Sequence, residues 1–241
     1  MTVARADVER LLGELFIDAP GAGLRKEDLK KSHELAALLT ELSRVGRAGP
    51  LVDVAAGKAY VGLLAVELLG FERLTVIERN AARLADVRHA QAKLSRPAQV
   101  ELKEGDVGDR ALWPRKPGAV VALHACGPAS DATIDAAIEA EAKWLLLVPC
   151  CYSAEVPAWS TAEQKADALG LPSHAEVRRR FVQAFIDAER TLRLEAAGWE
   201  TTVVPFVAPT VTPHNLLFRA RRLLEPRRMA DASARRARLL G

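Results

Sequence analysis

Two short strings hold most of the side chains able to do chemistry: Leu123-His124-Ala125-Cys126-Gly127 and Val148-Pro149-Cys150-Cys151-Tyr152. All three cysteines of the chain lie in them. An imidazole, with an ordinary pKa of roughly 6.5, can take a proton from a hydroxyl or an amide-like nitrogen near neutral pH. A histidine at a strand end can equally serve only to cap it and orient the next loop. Ionised thiols are nucleophiles, whereas buried thiols shape a pocket floor as small apolar groups. Three cysteines and a histidine satisfy a zinc inventory. Cys150 and Cys151 are adjacent, however, and no Cys-x2-Cys spacing occurs, so no metal is predicted.

These strings need a scaffold that positions them. Residues 5–17 and 25–45 carry leucine and valine at helical spacing, with Ala19-Pro20-Gly21-Ala22-Gly23 as a loop between them. From Pro50 the period changes. Short β-rich runs at 51–54, 73–78, 100–105, 120–124 and 145–148 alternate with helical stretches at 59–69, 80–94 and 130–143. That alternation specifies an α/β fold, a parallel sheet covered by helices. An irregular insert is predicted at 153–172, where Pro157, Gly170 and Pro172 fall. The capping-box string Ser173-His174-Ala175-Glu176 then opens a long helix that Gly198 stops. The last two strands, 201–207 and 216–220, are too close in sequence for a crossover helix and must pair antiparallel. The predicted organisation is a helical segment at 1–48, a sheet domain at 49–223 and a basic tail at 224–241.

In an open α/β sheet, ligands bind beyond the carboxyl ends of the strands. The predicted strand ends here are polar. The first runs Val52-Asp53-Val54-Ala55-Ala56-Gly57-Lys58-Ala59-Tyr60, the second ends at Glu78 and the third at Asp106. Gly57 lets a ligand approach the backbone at the strand-to-helix turn. The single glycine departs from the three-glycine dinucleotide fingerprint, which argues against NAD-dependent reduction. Glu78 can accept both hydroxyls of a ribose, and Asp106 can receive an amino group such as that of adenine.

Together with Lys30-Lys31-x-His33-Glu34 and Ser130-Asp131, these strings resemble the class I S-adenosylmethionine-dependent methyltransferases. Within that group they are similar to a subfamily marked by His-x-Cys-Gly followed by Pro-Cys-Cys-Tyr. It includes the tRNA 2′-O-methyltransferase type and methyltransferase domains fused to glutathione-transferase-like segments. The resemblance spans roughly residues 26–223 and implies a Rossmann-like sheet of seven strands, the last antiparallel. It implies that Asp53, Ala55 and Gly57 surround the methionine part of the cofactor, and that Glu78, with Arg79 beside it, holds the ribose. Asp106 and Val107 then flank adenine, and Lys31 and His33 approach the carboxylate end. His124, Cys126, Cys150, Cys151 and Tyr152 would converge beside the methyl group, with Asn215 overhanging from the Thr212-Pro213-His214-Asn215 loop. Asn215 is open to two readings, an acceptor contact or a turn held by its own side chain. Ala stands at 55, 56 and 59, where the family often has Gly, and the zinc modules of the tRNA enzymes are absent.

Composition narrows the partners. The chain has 241 residues, 49% of them hydrophobic, with a net charge of +3. Its longest apolar runs fall far short of the roughly 18 residues a membrane helix needs. The N-terminus lacks the apolar core of a secretion signal, and three clustered cysteines do not make a disulfide framework, so a cytoplasmic protein is predicted. Residues 219–241 hold eight Arg against Glu225 and Asp231. This basic end suits either nucleic acid or a solvated helix. The leading expectation is a methyltransferase acting on RNA, tRNA above all, with Arg178, Arg179, Arg180, Arg219, Arg221, Arg222, Arg227 and Arg228 neutralising phosphates around the pocket mouth. The alternatives are a protein or small-molecule acceptor, or a non-catalytic cofactor-binding module.

Overall fold

A computed structural model describes residues 1–17, 23–47, 49–173 and 176–241. Most of the predicted loop at 19–23, and the centre of the capping box at 173–176, lie outside these residues. In chain order the elements are α1 (Arg5–Phe16), α2 (Lys26–Leu42), β1 (Leu51–Val54), α3 (Tyr60–Leu69), β2 (Arg73–Glu78), α4 (Ala81–Gln91), β3 (Gln99–Glu104), β4 (Ala119–Ala125), α5 (Pro128–Glu139), β5 (Trp144–Pro149), α6 (Trp159–Ala168), α7 (Glu176–Ala196), β6 (Trp199–Pro205), β7 (Leu216–Arg222) and α8 (Pro226–Leu240). The seven strands form one sheet in the order β3-β2-β1-β4-β5-β7-β6. The first five are parallel, and β7 slots antiparallel between β5 and β6.

The central strands are apolar on both faces, as a sheet covered on both sides requires. Alternate residues separate cleanly. Leu51, Val121, Leu146 and Val148 pack with α1 to α4, while Val52, Val120, Leu145 and Leu147 pack with α5 and α7. Helix α3 is hydrophobic all round because the sheet lies on one side of it and α1 and α2 on the other. The N-terminal helices thus share the core of the sheet.

The sequence reads 153–172 as irregular, but the structure corrects this, because α6 occupies its centre. Ala162 and Ala166 are fully buried, in the layer where Val156 and Ala158 meet Val182, Phe185 and Ile186 of α7. Small side chains four residues apart let two helices approach closely, and packing overrides the weak local pattern. The basic tail is also helical. Ala232 of α8 is buried and Arg236 pairs with Glu189 of α7.

Asp53 anchors the turn after β1. Its carboxylate accepts the N–H of Gly62 at 2.8 Å, and a Cβ on Gly62 would come within 2.8 Å of Leu74. Burial pushes the Asp53 carboxyl from 3.8 to about 7, against the opposing Gly62 hydrogen bond, with Glu78 adding to the rise. Between those two values the folded chain holds a proton that the unfolded chain releases. The stabilisation is therefore complete below the lower value and is lost as pH rises through the window. Asp53→Asn keeps an acceptor for Gly62 and cannot titrate. The stability of the wild type relative to Asp53→Asn is expected to fall between about pH 4 and pH 7, by up to roughly 1.4 kcal/mol per pH unit. Urea melts at matched pH check this, and a flat difference would contradict it. Asp187, which burial pushes to about 6, titrates in both chains and cancels.

Candidate active site

Strand order reverses between β1 and β4, and the crevice beyond that crossover is where open α/β sheets hold ligands. A cavity of about 600 Å³ lies there, a size that suits a nucleoside-type molecule. Its walls come from every neighbouring strand tip: Ala55 after β1, Glu78 and Arg79 at β2, Gly105 to Val107 after β3, His124, Cys126 and Gly127 at β4, and Cys151 and Ser153 after β5.

Glu78 is 4% exposed and organises one side. Its carboxylate accepts the N–H of Gly57 at 2.7 Å through Oε2 and that of Asn80 at 3.0 Å through Oε1. Each oxygen keeps a further lone pair for a hydroxyl. Gly57 has φ +59°, and Ala55 and Ala59 are also left-handed at +49° and +52°. The alanines thus occupy backbone positions that favour glycine, at a cost of order 1 kcal/mol each. Asp106 accepts the Gly108 N–H through Oδ1, while Val107 is buried beside it. Arg83 of α4 also lines the cavity and was not singled out from sequence.

Asp53, Gly57, Lys31 and His33 are not among the residues lining the cavity. Asp53 faces α3, and Gly57 acts through Glu78. The Lys31 ammonium sits 5.0 Å from the Tyr60 ring centroid, and the His33 ring meets Arg5 at the exposed surface.

On the other side, His124 is left-handed at φ +62°, where the register between β4 and β5 slips. Its Nε2 lies 3.0 Å from Oε2 of Glu34, a carboxylate of α2 that is 6% exposed. A proton on Nε2 donated to Glu34 leaves Nδ1 as the basic nitrogen. Glu34 escaped the sequence reading as a site residue. It lies one turn before Leu38 on the buried stripe of α2, and a carboxylate on such a stripe is itself a signal.

Cys126 and Cys151 line the cavity, with Cys150 buried behind them. Their sulfurs are close: Cys151 is 3.4 Å from both Cys126 and Cys150. Burial pushes the Cys150 and Cys126 thiols up, which disfavours a free thiolate nucleophile at those two positions. Tyr152 points away from the cavity, its hydroxyl donating to Asp187 of α7 at 2.8 Å and its ring 5.3 Å from the Arg190 guanidinium. Asn215 donates to the Val207 carbonyl at 2.9 Å across its own loop.

Tyr152 and Asn215 meet instead at a second recess of about 220 Å³, with Arg180, Gln183 and His214. The segment Pro149 to Ser153 separates the two spaces, with Cys151 and Ser153 on one side and Tyr152 on the other. Burial, then His124 and Arg179, push the His214 imidazole below its usual range, so it is neutral near pH 7.

The arginines do not all gather at the mouth, and that expectation needs correction. Because β7 is antiparallel, Arg221 pairs with Trp144 at the start of β5, so Arg221 and Arg222 lie toward the opposite end of the sheet. Arg228 is near Glu200 at the start of β6, at that same end, and Arg227 precedes it on α8. Arg219 is paired with Glu41. Arg178 is 7% exposed and engaged by Glu163 and Asp167. Arg179 and Arg180 are exposed, and Arg180 lines the second recess. The exposed Arg79 and Arg83 add positive charge at the cavity itself.

Residues 29–156, more than half of the chain, match the family model described as a methyltransferase domain. No curated protein matches the chain. Among solved structures it is similar to a "putative RNA methyltransferase" from Pyrococcus horikoshii, at 15% identity and a TM-score of 0.51, covering 92% of this chain and 100% of that one. It is also similar to a Podospora anserina methyltransferase with bound S-adenosylhomocysteine, at 12% identity and a TM-score of 0.53, covering 91% and 87%. At such identities these likenesses establish the fold. No helix among the described residues is long and apolar enough to cross a membrane.

Proposed function

The chain belongs to the methyltransferase-domain family, and on that premise we propose that it methylates RNA, with tRNA the first class to test. It is a methyltransferase whose cofactor is S-adenosylmethionine. The residues present fit that cofactor. A buried carboxylate with spare lone pairs stands at the β2 tip, an acidic residue and a buried valine follow β3, and the cavity volume suits the molecule. Glu78 would hold the ribose, Asp106 and Val107 the adenine, and Ala55 with the α5 N-terminus the methionine end. The bound cofactor supplies an activated methyl on a sulfonium. The protein has then to align an acceptor lone pair and remove one proton. His124 takes that proton, Glu34 fixes the orientation of its ring, and Cys126 and Cys151 form the adjoining wall.

The observation that supports RNA most strongly is the recess beside the cavity. It is the size of a flipped nucleobase, it carries the Asn215 amide and the neutral His214, and it is rimmed by Arg180. Splayed bases held by side chains on their edges are the usual way proteins read RNA. The strings Leu123-His124-Ala125-Cys126-Gly127 and Val148-Pro149-Cys150-Cys151-Tyr152 support assignment to the His-x-Cys-Gly/Pro-Cys-Cys-Tyr subfamily, and three free cysteines suit the reducing cytoplasm. The Pyrococcus neighbour's description as a "putative RNA methyltransferase" agrees with this reading. A protein or small-molecule acceptor is the second reading, favoured by the engagement of Arg178 within the protein.

Methyl-labelled S-adenosylmethionine and fractionated cell extract separate the two. Label in material that RNase destroys and protease spares is expected. Capture of that RNA should weaken with salt at a log–log slope of about −0.7 per phosphate contact on single strands. Label that survives RNase would overturn the RNA reading.

A further inference from the structure

We propose that Cys126, Cys150 and Cys151 bind one Zn²⁺ ion as thiolates and leave its fourth position open to the cavity. The parallel pairing of β4 with β5 brings together the residues just past both strand ends, and the Gly127 N–H donates to the Cys151 carbonyl at 3.2 Å. Two sulfur pairs are 3.4 Å apart, and all three ligand atoms lie within 4.8 Å of one another. A tetrahedral ion with Zn–S bonds of about 2.3 Å has sulfurs roughly 3.8 Å apart, inside that range. Side-chain shifts of about half an ångström, the amplitude of ordinary thermal motion, suffice to bring all three sulfurs to that spacing. Among the described residues this is the one group of histidine, cysteine or carboxylate ligands gathered so closely.

The ligand chemistry selects the ion. Three thiolates are soft donors that favour Zn²⁺ over Mg²⁺ or Ca²⁺. The burial pattern sets the type of site. Cys150 is buried, whereas Cys126 and Cys151 face the cavity, so the uncovered side of the triangle opens onto it. Three protein ligands with one open position is the arrangement of reactive zinc sites, and closed structural sites use four. The binding step balances as Zn²⁺ replacing three thiol protons, which pass to the buffer and leave a centre of net charge −1. The open position takes water or an oxygen or nitrogen of the acceptor. That last assignment rests on the methyl-transfer reading; the ion site itself does not.

The test uses the full chain, reduced and freed of metal with a chelator. Titration with Zn²⁺ against a chromogenic competitor should show one ion per chain and the release of three protons. Co²⁺ should give a thiolate charge-transfer band, and bound Zn²⁺ should shield Cys126 and Cys151 from iodoacetamide. Cys126→Ser and Cys151→Ser, both at exposed positions, should each weaken binding by about 10²-fold, comparable to the upper loss seen when outer supports of zinc sites are removed. Binding unchanged in these variants, or no greater in the wild type than in the triple serine variant, overturns the proposal. S-adenosylhomocysteine calorimetry on the same samples keeps the two readings apart. Cofactor bound without Zn²⁺ removes the ion site alone, and Zn²⁺ bound without cofactor upholds the ion site while removing the cofactor assignment.

Discussion

His124→Asn is expected to bind S-adenosylmethionine as the wild type does and to turn over about 10²- to 10⁴-fold more slowly, the usual contribution of a positioned general base. Asparagine is the appropriate replacement because it tolerates the left-handed backbone that His124 adopts at φ +62°. Its amide can still donate to Glu34, so the link to α2 survives. What disappears is the ring nitrogen that takes the acceptor's proton. The loss should therefore fall on kcat, with the cofactor KM unchanged. An unaltered kcat would remove His124 from the chemistry and leave it as a strand cap that orients the β4 loop.

Glu78→Ala should act on the other half of the cavity. The substitution removes the acceptor for the Gly57 and Asn80 N–H groups and the proposed ribose contact together. Hydrogen bonds to a charged group contribute about 1.5–3 kcal/mol each, so cofactor affinity is expected to fall by at least about 10²-fold. Glu78→Gln keeps the volume and one acceptor oxygen, and should lose about tenfold. Calorimetry measures both, and circular dichroism reports whether the chain is still folded. Affinity within twofold of the wild type in a folded Glu78→Ala chain would place the nucleotide elsewhere.

Much of this was legible in the sequence because β/α alternation is a periodic signal. The alternation predicts the first two strands at 51–54 and 73–78, where β1 and β2 lie. The strand-end rule then picked out Glu78, Asp106 and His124, all on the cavity wall. What stayed hidden depends on tertiary direction. In a four-residue strand buried throughout, alternation does not reveal which way Asp53 faces, and it faces α3. The short connection predicts the antiparallel course of β7, yet its consequence for Arg221 and Arg222 follows only from the register against β5. The cysteine triangle is equally invisible to spacing rules, because its corners come from two strands that are neighbours in space.

The central claim is that the crevice between β1 and β4 holds the methyl donor, with its reactive end toward the β4–β5 wall. A crystal structure of the chain with S-adenosylhomocysteine tests this directly. The ribose hydroxyls should lie on the Glu78 carboxylate, the adenine beside Asp106, and the sulfur toward His124 and Cys126. A ligand bound at any other place, or one whose sulfur faces away from those side chains, would contradict the account.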